Sequence, residues 1–357
     1  MLAEATKLEE DIVTQCFDKS IYINMMANLL GTLKKRPTFD RAKIEEDERL
    51  RGESLPPGVS INVLQSLCHP REILLANDYP HSVQFEELLP KLELPGTQRC
   101  SRCGTDFNLD SRAATEPELR EVCTFHGGRT VRGTVDNPER VYSCCSRTLE
   151  SSGCTKGPHV FELRRYMDLR EVSGIDFVTT KELFDRQLLP QSRRILALDC
   201  EMSYTLLGME LTRLSLVDPH GVVIINEHVR PATTVIDYNT RFSGVTARHL
   251  EEAKLTFDEA RALFLQVVDS DAILVGHSLE SDLKALRVVH ERVIDTALLF
   301  PTTNPKYKHS LKLLTKTHLK RLIQVDVEGH DSVEDAQAAM DLVLLYAKEE
   351  ALRPKKK

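Results

Sequence analysis

Residues 195–218, ILALDCEMSYTLLGMELTRLSLVD, decide the fold class of this chain. From there onward, apolar runs predict strands at 195–198, 211–218, 221–229, 272–275 and 293–300. Helical periodicity predicts helices at 257–268, 279–289 and 332–348. Strands joined by the turn Pro219-His220-Gly221 and followed by alternating helices and strands indicate an α/β domain, in which helices cover a mixed sheet.

The first predicted strand ends in two acidic residues, Asp199 and Glu201. Residues i and i+2 of a strand face the same side, so the two carboxylates repel each other unless a cation or a proton lies between them. Oxygen ligands of this kind suit Mg²⁺ or Mn²⁺. The alternative is that one carboxylate faces solvent at the strand end. Cys200, between them, is expected to be buried on the opposite face of the sheet.

Three more candidate site residues follow at the ends of predicted elements. Asp282 comes after a buried strand, on a helix that Ser278 is expected to cap. His330 precedes the last helix, and Asp335 lies in its first turn. Each alone has a structural explanation, as a helix-dipole carboxylate, a surface histidine and part of a capping box, respectively. Their occurrence in order, on compatible elements, favours a catalytic site.

The residues Asp199, Glu201, Asp282 and Asp335, with His330 five residues before the last carboxylate, form the DEDDh pattern. The segments that carry this pattern are DCEMSYTLLGMELTRLSLVD, DYNTRFSGVT, LVGHSLESDLKAL, VIDTALLF and GHDSVEDAQAAMDL. On these motifs, residues 96–346 resemble the RNA exonuclease 1 (GOR-antigen-like) branch of the DEDDh 3′–5′ exonucleases. The resemblance implies an RNase H-like fold, a mixed five-stranded sheet with flanking helices.

The resemblance also implies a chemistry for these residues. Asp199 would bridge two Mg²⁺ or Mn²⁺ ions, Glu201 and Asp335 would complete the site on the nucleophile side, and Asp282 would support the second ion. Two ions about 4 Å apart can hold the attacking and leaving oxygens of a phosphodiester hydrolysis. His330, with an ordinary pKa near 6.5, would accept a proton from the attacking water. The expected products are 5′-nucleoside monophosphates from RNA with a free 3′ end, with single-stranded DNA as an alternative substrate.

Other acidic residues near these positions are expected to serve the fold. Glu280, Asp331 and Glu334 should project elsewhere on their elements. Asp295 is interpreted as structural because the four-carboxylate set is already complete.

Four close pairs of metal-ligand residues precede the acidic residues in the chain. They are Cys100 and Cys103, Cys123 and His126, Cys144 and Cys145, and Cys154 and His159. Each pair is expected to bind one face of a tetrahedral ion, so the eight residues predict one or two structural Zn²⁺ ions. The order resembles the cysteine-and-histidine-rich (CHORD) zinc modules, but the first pair is closer together here, so the sharing of ligands between ions stays open. We expect this module to bind RNA or a protein partner, with modest positive charge from Arg99, Arg102, Arg112, Arg129 and Arg132.

The predicted organisation is a helical N-terminal region with a charged linker at 1–95, the Cys/His zinc-binding module at 96–165 and the exonuclease domain at 190–350. The N-terminal helices are a second candidate surface for a protein partner. Clustered Cys without a secretory signal, together with the basic tail 353–357, favour a reducing compartment and nuclear localisation. No apolar run approaches the roughly 18 residues of a membrane span, and a net charge of −7 says little about local grooves.

Two other functions are compatible with parts of the sequence. A nuclease-like scaffold would use the zinc module to bind RNA or protein, but it would have no need for four carboxylates and His330. An RNase H-type endonuclease would use the same fold, and the spacing of His330 and Asp335 favours the exonuclease over it.

Overall fold

The computed structural model describes residues 55–81, 94, 96–109, 122–132, 139–172, 176–180, 194–304, 307–324 and 329–352. The helices predicted before residue 34, most of the charged linker and the basic tail lie outside the described residues.

Two short helices, α1 (Ile61–Leu67) and α2 (Arg71–Ala76), form where the sequence predicts helical turns. The Ser60 hydroxyl caps α1 by accepting a backbone hydrogen bond. Leu64 is fully buried in the same apolar cluster as Ile195 of the central sheet. These helices therefore pack into the core of the predicted exonuclease domain.

The Cys/His module consists of three two-stranded antiparallel ribbons, β1 with β2, β3 with β6 and β4 with β5. The strands are β1 (Thr97–Arg99), β2 (Asp106–Asn108), β3 (Val122–Phe125), β4 (Thr130–Arg132), β5 (Arg140–Tyr142) and β6 (Thr155–Pro158). Among the residues of this module that the structure describes, the buried apolar cluster holds Cys100, Phe107, Cys123 and Phe161. A core of this size stabilises little by itself, so metal binding is expected to contribute to the folding of the module.

The nuclease domain is built on a seven-stranded mixed sheet in the order β12–β10–β9–β8–β13–β15, with β11 pairing the end of β8. Its strands are β8 (Ile195–Thr205), β9 (Gly208–Val217), β10 (Val223–Arg230), β11 (Val235–Asp237), β12 (Leu255–Thr256), β13 (Ile273–Gly276) and β15 (Val293–Asp295). Outside this sheet, β7 (Val178–Thr179) and β14 (Val288–Val289) form a separate parallel pair. The mixed sheet predicted from the sequence is confirmed. The sheet has seven strands rather than five because β11 and β12, too short to give a periodic signal, extend it.

Helices cover both faces of this sheet. They are α3 (Tyr166–Glu171), α4 (Thr240–Ser243), α5 (Ala247–Glu251), α6 (Phe257–Val267), α7 (Glu280–Leu286), α8 (Thr296–Leu299), α9 (Leu311–Leu314), continued by a π-helical turn (Thr315–Leu319), and α10 (Ser332–Leu352). Leu196 and Leu198 of β8 pack in one cluster with α6 and α7, whereas Ile195 and Ala197 pack with α10 on the other face. Within the described parts of the chain, no helix has the length and apolar composition that crossing a bilayer requires.

Three predicted boundaries are wrong. The strand predicted at 195–198 continues to Thr205, because β9 pairs with it from Ala197 to Thr205. The strand predicted at 293–300 ends at Asp295, whose carboxylate accepts the Ala297 N–H and begins α8. The helix predicted at 279–289 ends at Leu286, where Arg287 adopts a left-handed conformation with φ 56°.

Candidate active site and metal centres

Asp199 and Glu201 lie in the middle of β8, on the face that α10 covers. A β-bulge between Glu201 and Met202 shifts the pairing with β9, so that Glu201 lies opposite Arg213. Bulges re-aim side chains and are common beside active sites. The long strand thus holds the two carboxylates in place on a rigid element.

Asp282 is joined directly to this strand. Its Oδ1 accepts a hydrogen bond of 2.7 Å from the backbone N–H of Cys200, the residue between the two acidic positions. The Asp282 side chain is buried, and the Cys200 thiol is buried as predicted. The prediction that Ser278 caps the helix is wrong, since Leu279 occupies the cap position and the Ser278 N–H donates to Asp295 instead.

Asp335 and His330 enter from α10 and the turn before it. Asp335 Oδ2 lies 3.7 Å from His330 Nδ1 and accepts a 2.8 Å hydrogen bond from Gln324 Nε2. Asp335 Oδ1 is buried and has no hydrogen-bond partner. The His330 N–H donates to the carbonyl oxygen of Phe242, at the end of α4. A buried carboxylate oxygen without a donor is costly unless a cation binds it.

The electrostatics of the four carboxylates show that they share one site. Burial, followed by the charges of Asp282, Asp335 and Glu201, raises the pKa of Asp199 well above its usual range. Burial also raises the pKa of Asp282 well above its usual range, that of Glu201 to about 9 and that of Asp335 to about 6. Without a cation, folding therefore disfavours the charged forms of these groups.

The His330 side chain has the opposite shift. Burial, followed by the positive charge of Lys312, lowers its pKa below 6.5. The imidazole is therefore neutral at pH 7, and a neutral imidazole is able to accept a proton.

These residues fit divalent cations. The donors are carboxylate oxygens, which Mg²⁺ and Mn²⁺ prefer, and the unpartnered Asp335 Oδ1 is a vacant ligand atom. Among the described residues, only the two Cys/His sets bring three or more ligand atoms within 4.8 Å of one another. The carboxylates are therefore more widely spaced than a closed single-ion cage, as expected for ions that also bind substrate phosphate and water.

The neighbouring acidic residues have partners of their own. Glu280 pairs with Lys308 Nζ at 2.9 Å, Asp331 with Arg213 Nη2 at 3.1 Å, and Glu334 accepts the Gln324 N–H at 3.0 Å. Asp295 is fully buried and accepts hydrogen bonds from the Tyr79 hydroxyl and from the backbone N–H of Ser278 and Ala297. These partners agree with structural roles, although Glu280 Oε2, like Asp335 Oδ1, is buried without a hydrogen-bond partner.

The eight Cys and His residues form two sets of four, Cys100, Cys103, Cys123 and His159, and His126, Cys144, Cys145 and Cys154. Sulfur–sulfur distances are 3.7 Å for Cys100 and Cys123 and 3.4 Å for Cys144 and Cys154. Tetrahedral ligands with Zn–S bonds of about 2.3 Å lie about 3.8 Å apart, so the sets are close to a zinc geometry. The Nε2 of His126 lies 3.1 Å from the Ser151 carbonyl oxygen, an arrangement that leaves Nδ1 for the ion.

The sequence left open which residues share an ion, and the structure divides two of the four close pairs between the two sets. Cys123 and His126 belong to different sets, as do Cys154 and His159. The reason is the β3–β6 ribbon, in which Cys123 pairs with Gly157. The antiparallel strands place Cys123 near His159 at one end and His126 near Cys154 at the other.

Sequence reasoning missed two residues of the candidate active site, Arg213 and Gln324. Arg213 lies opposite Glu201, and its positive charge opposes the rise in the pKa of that carboxyl. The sequence predicted the hairpin that contains β9. The bulge changes the register of β8 and β9 by one residue, so the pairing of Glu201 with Arg213 could not be predicted. Gln324 lies in an irregular segment with φ 54° and has no sequence signal.

Comparison with known proteins gives two family matches. The model described as the RNA exonuclease 3 middle domain matches residues 98–157, and the model described as exonuclease matches residues 196–343. The first therefore covers most of the Cys/His module and the second contains all five candidate catalytic residues. The likeness to CHORD modules stays a prediction.

Three relatives are similar over most of the chain. The human RNA exonuclease 1 homolog is 41% identical over 71% of this chain and 20% of its own length, and the human putative exonuclease GOR is 33% identical over 96% and 50%. RNA exonuclease 3 of Candida albicans is 33% identical over 81% of this chain and 67% of its own length. The chain thus spans half or less of the first two relatives.

Proposed function

Because the chain belongs to the RNA exonuclease family, we propose that it is a metal-dependent 3′–5′ exoribonuclease. The observation that carries the proposal is the convergence of four carboxylates beside His330: Glu201, Asp282 and Asp335 are buried, one oxygen of Asp335 is unpartnered, and Asp199 is partly exposed. Such a site suits the hydrolysis of a phosphodiester, whose transition state gains negative charge. The proposed substrate is RNA with a free 3′ end.

Asp199, Glu201, Asp282 and Asp335 would hold two Mg²⁺ or Mn²⁺ ions. When bound, these ions neutralise the negative charge that develops on the phosphoryl group. The bulged strand β8 and the Cys200–Asp282 hydrogen bond fix the positions of the first three ligands. Gln324 orients Asp335 by binding one of its oxygens and leaving the other free.

His330 acts as the general base. Its lowered pKa keeps Nδ1 or Nε2 unprotonated at neutral pH, ready to accept a proton from the water that attacks phosphorus. The bond between phosphorus and the 3′ oxygen of the penultimate nucleotide breaks, and that oxygen takes a proton from solvent. The terminal nucleotide leaves as a 5′-monophosphate.

The two Cys/His sets would each hold one structural Zn²⁺. All four positions of each set are occupied by protein side chains, so the ion has no open position for substrate. The hydrogen bond with Thr155 contributes to lowering the pKa of the Cys154 thiol to about 6, which favours the thiolate that zinc binds. We further propose nuclear localisation, and a protein partner for the module or the N-terminal region.

The proposal is tested with 5′-labelled RNA and matched single-stranded DNA, purified full-length chain and Mg²⁺. The expected result is a ladder that shortens from the 3′ end, with EDTA and Asp199→Ala each abolishing it. Asp258→Ala is the matched control, because it removes a carboxylate that is 82% exposed and pairs with Arg261 on its own helix, and it should keep the ladder. Intact RNA with folded, zinc-loaded protein under both Mg²⁺ and Mn²⁺ would reject the exonuclease in favour of a nuclease-like scaffold that binds through its zinc module.

A further inference from the structure

The first ligand set of the Cys/His module is tied to the nuclease domain by one arginine. Arg102 lies in the turn between Cys100 and Cys103, so its backbone is fixed on both sides by ligands of the same set. Its Nη1 donates a 2.7 Å hydrogen bond to Asp237 Oδ2 of β11. The Arg102 side chain is only 12% exposed, and that of Asp237 is 25% exposed.

Aromatic rings from both sides hold this ion pair. The Arg102 guanidinium lies 4.6 Å from the centre of the Phe125 ring in the module and 5.0 Å from that of Tyr204 on β8. At Gly157 the ribbon approaches so closely that an added Cβ would lie 3.4 Å from Arg102 Nη1. Arg102 therefore contributes little to the positive surface expected for RNA binding, because its charge is neutralised within the protein.

Asp237 also accepts a hydrogen bond from a tight backbone turn. Its other oxygen, Oδ1, accepts the Asn239 N–H at 2.8 Å, and Asn239 has a left-handed conformation with φ 55° that begins α4. The hydroxyls of Ser203 on β8 and Ser243 on α4 both donate to the Tyr238 carbonyl oxygen. These bonds leave α4 little freedom relative to β8.

The segment around α4 contacts the backbone at His330. The Phe242 carbonyl accepts the His330 N–H at 3.0 Å. A Cβ added to Gly329 would lie 2.4 Å from Gly244 Cα and 2.6 Å from the Thr240 carbonyl oxygen, so the chain enters His330 in direct contact with this turn. Only glycine fits there, and its φ of 115° also requires it.

The second ligand set touches the same turn. A Cβ added to Gly127, the residue after His126, would lie 2.8 Å from Arg241 Nη1. A chain neighbour of each ligand set therefore lies against residues 237–244, Arg102 against Asp237 and Gly127 against Arg241.

We propose that the Cys/His module positions the catalytic histidine, with Arg102 as the positioning residue that acts through Asp237 and α4. This inference rests on the proposed exonuclease function. In the free enzyme the module is then part of the machinery that fixes His330, in addition to any partner it binds. Misplacement of a general base by about 1 Å can cost up to about 100-fold in rate.

The test compares Arg102→Ala and Asp237→Asn with the matched control Arg99→Ala, which removes the same charge from the same hairpin at an exposed position. Asp237→Asn cuts the link from the nuclease side and keeps an oxygen for Asn239. We expect both link variants to retain two zinc ions and to lose about tenfold or more in kcat, with KM changed less than threefold. The control should match the wild type.

Two further readouts separate positioning from a general structural defect. In a His330→Ala background, Arg102→Ala should cost less than a further twofold, because the group that it positions is absent. Hydrogen exchange of peptides spanning 238–244 and 329–335 should accelerate in both link variants and not in Arg99→Ala. An equal loss in both backgrounds, or unchanged exchange in these peptides, would overturn the inference. The exchange result stands even if the wild type proves inactive, an outcome that would reject the proposed function alone.

Discussion

The chain brings metal ligands together in two different ways, and the difference separates structure from catalysis. The Cys/His sets each place four ligand atoms within 4.8 Å of one another, in a module with a very small apolar core. The four carboxylates lie on β8 and on two helices, α7 and α10, that pack against a large sheet; they are farther apart, with raised pKa values and one unpartnered oxygen. A closed set of soft ligands stabilises a fold, whereas an open set of strained carboxylates leaves room for substrate.

The largest expected effect comes from removing a carboxylate. Asp199→Asn should lower the exonuclease rate by about 1,000-fold or more, roughly 4 kcal/mol of transition-state stabilisation. The free energy of unfolding of the metal-free protein should not fall, because the change relieves repulsion among buried charges. Rate measurements and denaturant unfolding in EDTA check both parts, and a large loss of metal-free stability would contradict the comparison.

Removing a proposed zinc ligand from the Cys/His module should instead lower the stability of the module. Cys123 is fully buried in the first set, and Cys123→Ser should reduce the zinc content from two ions to one per chain and destabilise residues 96–165 by several kcal/mol. Metal analysis and limited proteolysis measure this. Retention of two zinc ions would show that the proposed ligand set is wrong.

Asp295 is a buried carboxylate outside the candidate active site, and its substitution tests whether burial alone makes a carboxylate important for catalysis. Asp295→Asn keeps the shape but loses an acceptor for the Tyr79 hydroxyl or the backbone donors, at a cost of about 1–3 kcal/mol in unfolding free energy. The rate at saturating Mg²⁺ should change by less than about threefold. Chemical denaturation and steady-state kinetics test this, and a loss as large as that of Asp199→Asn would make Asp295 part of the catalytic set.

The last prediction concerns pH. Since the folded-state pKa of Glu201 is raised from 4.5 to about 9, the folded, metal-free protein binds more protons than the unfolded chain between these values. Stability of the metal-free protein should therefore fall as pH rises through this range, and added Mg²⁺ should raise the melting temperature more at pH 8 than at pH 6. A Mg²⁺ shift that is independent of pH would contradict the assignment of Glu201 as a buried, metal-neutralised group.

Much of the fold and the residues of the candidate site were predictable because they depend on local patterns. The apolar run at the start of β8 and the helical period of α10 are local patterns of the sequence, and these two elements carry Asp199, Glu201 and Asp335. The spacing of Cys and His likewise predicted the eight residues that the structure brings together in two sets, and their role as zinc ligands stays a prediction.

What the sequence did not predict depends on contacts between distant segments. The division of ligands between the two sets follows from the β3–β6 pairing, which joins residues about 30 apart. The opposition of Glu201 and Arg213 follows from a one-residue bulge, and the Arg102–Asp237 pair spans 135 positions. Such contacts are fixed by tertiary packing, for which a single sequence carries no periodic signal.

The most direct test of the account measures zinc content and RNA cleavage on one sample, purified without added Mg²⁺. The account predicts two zinc ions per chain and no cleavage until Mg²⁺ is added, with cleavage then proceeding from the 3′ end while the zinc content stays at two. Cleavage at full rate without Mg²⁺, or activity that rises and falls with zinc content alone, would contradict the division between a structural module and an open carboxylate site.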